Sequence, residues 1–240
     1  MWRLFICIIL ISLSALIDSC GQSTYKQKEL VEKKVSKGTG QLIPINFRDS
    51  VYHDLEFYAR DTITIDGWTI EYLVKDDSTK YQDVYIQWKK GNTKGLFYGG
   101  DILLMRRYFT PILLGENNTH IFLEHGCATT CSALLALSKD SIPEARDFIY
   151  VRDYNIKNGQ VVFIPERSYS LDTLEISVVD LTRQKEKSVI FENVCNLAPE
   201  EGCIDSISFN KNYVKLSATL IAKRDKPKSI KESHTVRLDD

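Results

Sequence analysis

The sequence predicts an all-β protein, in which antiparallel strands form a small propeller-like domain or a sandwich or meander with little helix. Apolar and polar residues alternate over most of the middle of the chain, which is the period of a half-buried strand. Asp-Gly, Gly-Asn and Asn-Gly pairs separate several of these alternating runs, and such pairs favour hairpin turns. Evidence for helices is thin, because Pro111 interrupts the apolar segment DILLMRRYFTPILL.

The first strands are predicted around two turns. Asp66-Gly67 separates TITI from WTIEYLVK, a run in which alternate residues share one apolar face: Trp68, Ile70, Tyr72 and Val74. The next strand is DVYIQW, after which Gly91-Asn92 turns the chain before GLFY. Both turns place residues that tolerate the left-handed conformation between alternating runs, so two hairpins are expected.

The second half repeats this organisation. Pro143 could open a short turn at IPEARDF, and Asn158-Gly159 predicts a hairpin between FIYVRDYNI and VVFIP. Four further strands are predicted in LEISVVDL, KSVIFENV, IDSISF and YVKLSATLIA. Their rhythm resembles β-propeller blades, in which sets of strands recur at about 40–45 residues. The resemblance covers only this half of the chain.

The aromatic residues of these runs allow two interpretations. In alternating strands, aromatic side chains usually face the core. Exposed together, they could instead stack on sugars or fill the pockets of a protein partner. The residues concerned are Tyr52, Phe57, Tyr58, Trp68, Trp88, Tyr98 and Tyr108.

The chain begins with a segment that predicts export. Arg3 precedes an apolar run from Leu4 to Ile11, and small residues then lead to IDSC at 17–20. The run is shorter than the roughly 20 residues that a membrane-spanning helix needs, and its layout is that of a secretory signal. IDSC resembles the lipobox of bacterial lipoproteins, although Asp18 stands where a small or aliphatic residue is commoner. The resemblance implies that Cys20 is lipidated and becomes the first residue of the mature protein.

The predicted domain organisation follows from these segments. Residues 1–19 form the signal peptide, and residues 20–40 form the lipidated cysteine with a polar tether that is rich in lysine. Residues 41–222 form the all-β domain. The stretch from 223 to 240 mixes basic and acidic residues and is predicted to be a polar, solvated tail.

The remaining cysteines suit an oxidising compartment. Cys7 lies in the signal and Cys20 would carry lipid, which leaves the four cysteines Cys127, Cys131, Cys195 and Cys203. An even number in an exported domain indicates disulfides, and four cysteines allow three pairings. Proximity favours pairing within each short loop, and cross pairing between the loops is the alternative.

The stretch EHGCATTC at 124–131 also offers a chemical interpretation. A metal ion could take nitrogen and sulfur ligands from His120, His125, Cys127 and Cys131, although their spacing is not that of familiar zinc sites. Glu124 beside His125 is the best acid–base candidate, but neighbours on a strand point to opposite faces. The sequence contains no Gly-x-Ser-x-Gly elbow, His-Glu-x-x-His pair, phosphate-binding loop or dinucleotide fingerprint. A disulfide staple is the favoured interpretation, and the catalytic residues of any enzyme stay unknown.

Composition limits the function classes. Hydrophobic residues make up 43% and charged residues 26%, with a formal net charge of −1, which argues against nucleic-acid binding as a main task. We therefore expect a non-catalytic binding domain without a cofactor. Lipid at Cys20 would anchor it to the inner or outer membrane of a bacterial envelope, on a periplasmic or surface face, where it meets a protein or glycan partner. The alternative is an envelope enzyme or metal-binding protein with a site near His120, His125 and Cys127.

Overall fold

The computed structural model describes residues 40–45, 60–75, 84–100, 108–128, 131–166, 174–195, 203–222 and 228–239. The predicted signal peptide, Cys20 and all but the last residue of the predicted tether lie outside the described residues, as do Tyr52, Phe57 and Tyr58. The chain divides into two units, Met1–Gln41 and Leu42–Asp240, and every strand below belongs to the second. Among the described residues, no helix has the length and apolar character needed to cross a membrane.

Sixteen strands and one 3₁₀ turn, Ile156–Asn158, form the regular structure of this part of the chain. The strands are Leu42–Pro44 (β1), Thr62–Ile63 (β2), Thr69–Lys75 (β3), Val84–Lys90 (β4), Thr93–Gly100 (β5), Ile112–Glu116 (β6), His120–Ala128 (β7), Cys131–Ser138 (β8), Ala145–Phe148 (β9), Val151–Asn155 (β10), Gln160–Phe163 (β11), Glu175–Asp180 (β12), Lys185–Ile190 (β13), Ile204–Phe209 (β14), Tyr213–Ile221 (β15) and Ser229–Arg237 (β16). The all-β prediction is confirmed.

Four antiparallel sheets follow one another along the chain. Sheet I contains β1 to β5, sheet II β6 to β9, sheet III β10 to β13 and sheet IV β14 to β16. In sheets II, III and IV each strand pairs with the next one, whereas in sheet I both β1 and β2 pair with β3. This serial order is consistent with the sandwich or meander that the sequence predicts.

The predicted hairpin turns connect the strands as expected. The run before Asp66-Gly67 pairs with β3, with Thr62 opposite Ile70. Gly91 turns β4 into β5 with a φ of 57°, which a residue with a side chain rarely adopts. The Asn158-Gly159 hairpin also forms, but the 3₁₀ turn at 156–158 supplies its tip and the left-handed Gly159 ends it.

Three apolar clusters join the sheets in pairs. The first joins sheet I to sheet II, with Trp68, Ile70 and Trp88 on one side and Leu123 and Leu135 on the other. The second joins sheets II and III, and its members are Phe122, Leu134, Ala136, Phe148, Val151, Val161, Val179 and Leu181. The third joins sheets III and IV through Val162, Ile176 and Val178 and residues of β15 such as Leu216. Consecutive sheets thus share a core, and the aromatic residues Trp68 and Trp88 belong to it.

Burial on both faces explains the apolar runs of the inner strands. Successive side chains of a strand point to opposite faces. In sheet II, Leu123 therefore packs toward sheet I while Phe122 packs toward sheet III. Strands β8 and β12 are accordingly buried along almost their entire length, whereas β15 alternates because only one face of sheet IV is covered.

The predicted tail is wrong for residues 229–237. These residues form β16, which pairs with the whole of β15 from Tyr213 opposite Arg237 to Ile221 opposite Ser229. Val236 and Leu238 are buried in the cluster between sheets III and IV. The outward residues of β16 are all polar and alternate with its inward ones, which gave the segment the composition of a tail. The globular unit therefore extends well beyond residue 222, and residues 223–227 lie outside the described residues.

The segment that follows Pro143 is a strand and not a turn. Ala145–Phe148 forms β9, the edge strand of sheet II, and pairs with Leu134–Leu137 of β8. Pairing with β8 and burial of Phe148 in the cluster between sheets II and III favour the extended form. In this strand Phe148 and Arg146 point to the same face.

Candidate functional site

The two histidines of the predicted site lie on opposite faces of β7. They are five residues apart on one strand, so their side chains point in opposite directions. The His120 ring lies beside Phe122, with ring centroids 6.1 Å apart, on the face that packs toward sheet III. The His125 ring faces the other way and contacts Asp147 of β9. The structure therefore does not bring His120 and His125 together.

The cysteines form the two local pairs that proximity favours. Cys127 and Cys131 lie at the end of the β7–β8 hairpin with their Cα atoms 5.0 Å apart. Cys195 and Cys203 lie at disulfide distance with a Cα separation of 5.7 Å. Both separations fall in the normal range for disulfides. Cys127 and Cys131 therefore offer no thiolate to a metal, and the described residues contain no cluster of three metal-ligating side chains.

His125 is held by two hydrogen-bond acceptors. Its Nδ1 lies 2.9 Å from the carbonyl oxygen of Gly126, and its Nε2 lies 2.9 Å from Oδ1 of Asp147. A carbonyl and a carboxylate can only accept, so both ring nitrogens must donate and the imidazole carries a proton on each. Burial opposes this charge, but Asp147 and the Gly126 carbonyl outweigh it and raise the pKa of His125. With both nitrogens engaged, His125 is a structural cation at this hairpin.

Tyr108 closes the same hairpin from outside. Its ring lies directly over Gly126, where a side-chain carbon would overlap the ring. The Gly126 N–H donates to the Tyr108 carbonyl oxygen at 2.6 Å, and the Tyr108 hydroxyl donates to the carbonyl of Cys131 at 2.9 Å. The glycine of EHGCATTC is therefore required for the close approach of an aromatic ring, and this stretch is a stapled, capped turn.

Sheets II and III enclose a groove along their seam, which we call the seam groove. It consists of three adjoining recesses of about 590, 380 and 430 Å³. Thr119 and Thr182 line both of the first two, and their hydroxyl oxygens lie 3.5 Å apart across the seam. Arg146 and Glu186 line both of the last two and form an ion pair at 2.7 Å. The Thr119–Thr182 contact and the Arg146–Glu186 ion pair thus separate the three recesses of the seam groove.

Asn117 organises one end of the seam groove. Its Oδ1 accepts hydrogen bonds from the backbone N–H groups of Thr119 and His120, both at 2.9 Å. Its Nδ2 donates to the carbonyl oxygen of Ile156 at 2.7 Å, which links the β6–β7 turn of sheet II to the 3₁₀ turn of sheet III. One amide side chain thus fixes the loop that carries Thr119 and His120.

His120 lines the middle recess. Its Nδ1 lies 2.9 Å from the Thr119 hydroxyl, the one hydrogen bond of its ring within the described residues. Burial lowers the pKa of His120, with Asp140 opposing and Lys139 reinforcing the shift. The imidazole is therefore neutral at pH 7, beside the carboxylate residues Asp140 and Glu144 that line the same recess. Of the site residues that the sequence predicted, only His120 lines the seam groove.

A buried ionic cluster supports the other face of the β6–β7 loop. The Lys139 side chain is only 7% exposed, and its Nζ lies 2.6 Å from Oδ2 of Asp66 and 2.7 Å from Oε2 of Glu116. Lys139 also donates to the carbonyl oxygen of Asn117 at 2.6 Å. Hydrogen bonds from Lys139, the Asp66 N–H and Thr64 outweigh burial and lower the pKa of Glu116. The cluster joins the first hairpin of sheet I to sheet II.

Sequence reasoning missed both the seam groove and the ionic cluster. Thr119 and Thr182 are 63 residues apart, and Lys139 and Asp66 are 73 apart, so no local spacing signals either contact. Asn-Asn-Thr at 117–119 was the available signal, since Asn and Thr side chains organise turns, but that predicts a turn and not what the turn faces.

No protein-family model matches the chain, and neither the curated proteins nor the solved structures contain a match. The fold and the site define the class of protein by its architecture alone. Four antiparallel sheets follow one another along the chain, and a groove lies between the second and the third.

Proposed function

We propose that this protein is a lipid-anchored component of a bacterial cell envelope that acts by binding, with the seam groove as its binding surface. The observation that carries the proposal is the groove itself. Its lining presents hydroxyl, amide, imidazole and ionic side chains that the fold holds in place. These are groups that recognise a polar partner through hydrogen bonds.

The two cysteine pairs support the envelope location. Disulfides persist in exported proteins and are rare in the reducing cytosol. All the cysteines downstream of the lipobox lie in these two pairs, and neither pair encloses more than a short loop. This usage agrees with the lipobox-like IDSC at 17–20, which implies lipid on Cys20. Two or more acyl chains on one residue would anchor the chain stably.

The lining of the seam groove supports a hydrogen-bonding partner, either a protein or a glycan. The charges of Arg146 and Glu186 neutralise each other, and Thr119 and Thr182 present hydroxyls on either side of the seam. Apolar side chains lie beside these groups in every recess: Ile156 in the first, Leu181 in the second, and Phe148 and Phe163, which meet edge to face with centroids 5.3 Å apart, in the third. The groove therefore suits a partner that offers hydrogen-bonding groups together with some apolar surface.

The enzyme alternative now depends on His120. A neutral imidazole beside Asp140 and Glu144 is a group capable of acid–base chemistry. Replacing His120 by Asn keeps a hydrogen-bonding side chain and removes the titrating group. Partner binding that survives this change supports the binding proposal, whereas turnover of an envelope substrate that is lost with it would support the enzyme.

Site-specific photo-crosslinking tests the proposal. A benzophenone side chain replaces Glu144, which is exposed and lines the middle recess, and in a matched control it replaces Lys211, which is exposed on a turn of sheet IV. Irradiation of intact cells should give a discrete adduct from position 144 and none from position 211. Equal adducts from both positions, or none from 144, would contradict the seam groove as the binding surface.

A further inference from the structure

One tripeptide, an aspartate followed by a hydroxyl residue and a branched aliphatic residue, recurs along the chain. It occurs at Asp49-Ser50-Val51, Asp61-Thr62-Ile63, Asp140-Ser141-Ile142, Asp172-Thr173-Leu174 and Asp205-Ser206-Ile207. Seven aspartates precede Ser or Thr, and five of these pairs continue with Ile, Leu or Val. These three residue types make up 62 of the 240 residues, so chance would give about two. The third position is therefore enriched.

The three described triplets lie at the protein surface. Ser141 is in the β8–β9 loop, where it is exposed together with Asp140 and Ile142. Thr62 begins β2 and is half-buried, and Ser206 is exposed on the edge strand β14. The triplets that begin at residues 49 and 172 contain residues outside the described part of the chain.

Folding explains why an aspartate and a hydroxyl residue occur together, but it does not explain why an exposed aliphatic residue follows them. Asp-Ser pairs favour turns, because the aspartate side chain bonds to the backbone that follows it. The aliphatic residue gains nothing comparable in the β8–β9 loop, where Ile142 is 79% exposed, or on β2, where Ile63 is 72% exposed. Single exposed aliphatic residues are common. At two other triplets folding does explain the aliphatic residue, because Leu174 is buried in the cluster between sheets III and IV and Ile207 packs against it. The exposed Ile63 and Ile142, at the same position of the repeated triplet, instead indicate recognition by another protein.

We propose that the Asp-(Ser/Thr)-aliphatic triplets at 61–63, 140–142 and 205–207 are acceptor sites for O-linked glycans, with Ser141 as the principal site. The Ser141 hydroxyl oxygen would attack the anomeric carbon of a glycan carried on a diphosphate. The new bond joins that oxygen to the anomeric carbon, the bond from the anomeric carbon to the diphosphate oxygen breaks, and the diphosphate leaves with the electron pair. The hydroxyl proton passes to a basic group of the transferase.

The chemistry of the triplet favours a glycan over a phosphate. A phosphorylated hydroxyl would carry up to two negative charges next to the aspartate of each triplet, and like charges repel. A neutral glycan avoids this repulsion and is a bulky, solubilising surface group. It would also cover the exposed Ile142 and Ile63. The inference rests on the proposed function, because the modification is placed in the envelope.

Mass spectrometry of the full chain, produced in its own bacterium and in a host without protein O-glycosylation, tests the inference. We expect the first sample to be heavier by whole glycan masses, and the peptide with Ser141 to carry one of them. Ser141→Ala should remove that mass, and so should Asp140→Asn, which keeps the hydroxyl. Equal masses from the two hosts, or a Ser141 peptide without glycan, would overturn the inference.

Ser206 and Ser208 supply a matched control. Both are exposed on β14 and both pair with β15, opposite Ser217 and Lys215, but only Ser206 follows an aspartate. Ser206→Ala should lower the glycan load and Ser208→Ala should leave it unchanged. Glycan on both serines alike would overturn the triplet as the recognition element.

The mass of the N-terminal peptide in the same sample separates the two proposals. A lipidated Cys20 with unmodified triplets would overturn glycosylation and leave the envelope proposal standing. A chain that still carries residues 1–19 would overturn the envelope location and the modification with it.

Discussion

His125 and Asp147 form an ion pair across sheet II, in which Nε2 of the imidazole lies 2.9 Å from Oδ1 of the carboxylate. The His125 side chain is 8% exposed, and its other nitrogen bonds to the Gly126 carbonyl. The pair lies beside the Cys127–Cys131 bridge, which is closed from outside by Tyr108. A motif with the composition of a metal site is thus a charged hairpin end closed by a disulfide.

This ion pair should make stability depend on pH. The folded-state pKa of His125 is raised above the ordinary value of 6.5, so the stabilisation is complete below that value and is lost as the pH rises through the raised pKa. Asp147→Asn should cost about 1–2 kcal/mol at about pH 6, as for hydrogen bonds to charged groups. At a pH well above the raised pKa it should cost little, because the imidazole is neutral.

Urea unfolding of wild type and Asp147→Asn at both pH values provides the measurement. Asp239→Asn, a change at an exposed carboxylate, is the control and should behave like wild type. A cost for Asp147→Asn that is the same at both pH values would show that His125 is not the titrating group.

Gly126→Ala should destabilise the hairpin, because the added methyl group overlaps the Tyr108 ring. Overpacking of this kind typically costs about 1–3 kcal/mol. Gly115→Ala is the matched control on neighbouring β6, because its new methyl group would meet Ile156 Cδ1 at an ordinary 3.4 Å. Thermal unfolding would measure both. In a Tyr108→Ala background the Gly126→Ala penalty should shrink, and a penalty of unchanged size would place its cause elsewhere.

Lys139→Met should be among the more damaging single changes in the described part of the chain. It leaves the buried Glu116 carboxylate without its cation, and losing one partner of a buried pair costs about 3–5 kcal/mol. Adding Glu116→Gln should recover part of this loss in urea unfolding. Lys94→Met, at an exposed position of β5, should change stability by less than about 0.5 kcal/mol. A Lys139→Met loss as small as that control would refute a stabilising role for the cluster.

Cys20→Ser should release the protein from the membrane. Under the proposed lipid anchoring, the lipid is linked through the Cys20 thiol, and a serine at this position has no thiol to carry it. Detergent-phase partitioning of cell extracts would measure the change, with Cys7→Ser as the control because Cys7 lies within the predicted signal. Wild-type protein in the aqueous phase, or Cys20→Ser retained in the detergent phase, would contradict lipid anchoring at this residue.

The secondary structure was largely predictable because its signals are local. The alternation in WTIEYLVK and the turn residues Asp66-Gly67 and Gly91-Asn92 define hairpins within about twenty residues of chain. Proximity also favoured the observed cysteine pairs. Local signals failed at β16, where polar residues at every second position gave a strand the composition of a tail. They also failed at β9, where pairing with β8 decided the conformation.

By itself, then, the sequence determined the all-β class, most of the hairpins and the local pairing of the cysteines, because each depends on residues close together in the chain. Only the tertiary structure decided that Lys139 joins Asp66 to Glu116 and that Thr119 meets Thr182 across a groove. Each of these contacts depends on how a strand's two faces are distributed between neighbouring sheets. Strand periodicity distinguishes the two faces of a strand, but packing between sheets decides which partner each face meets.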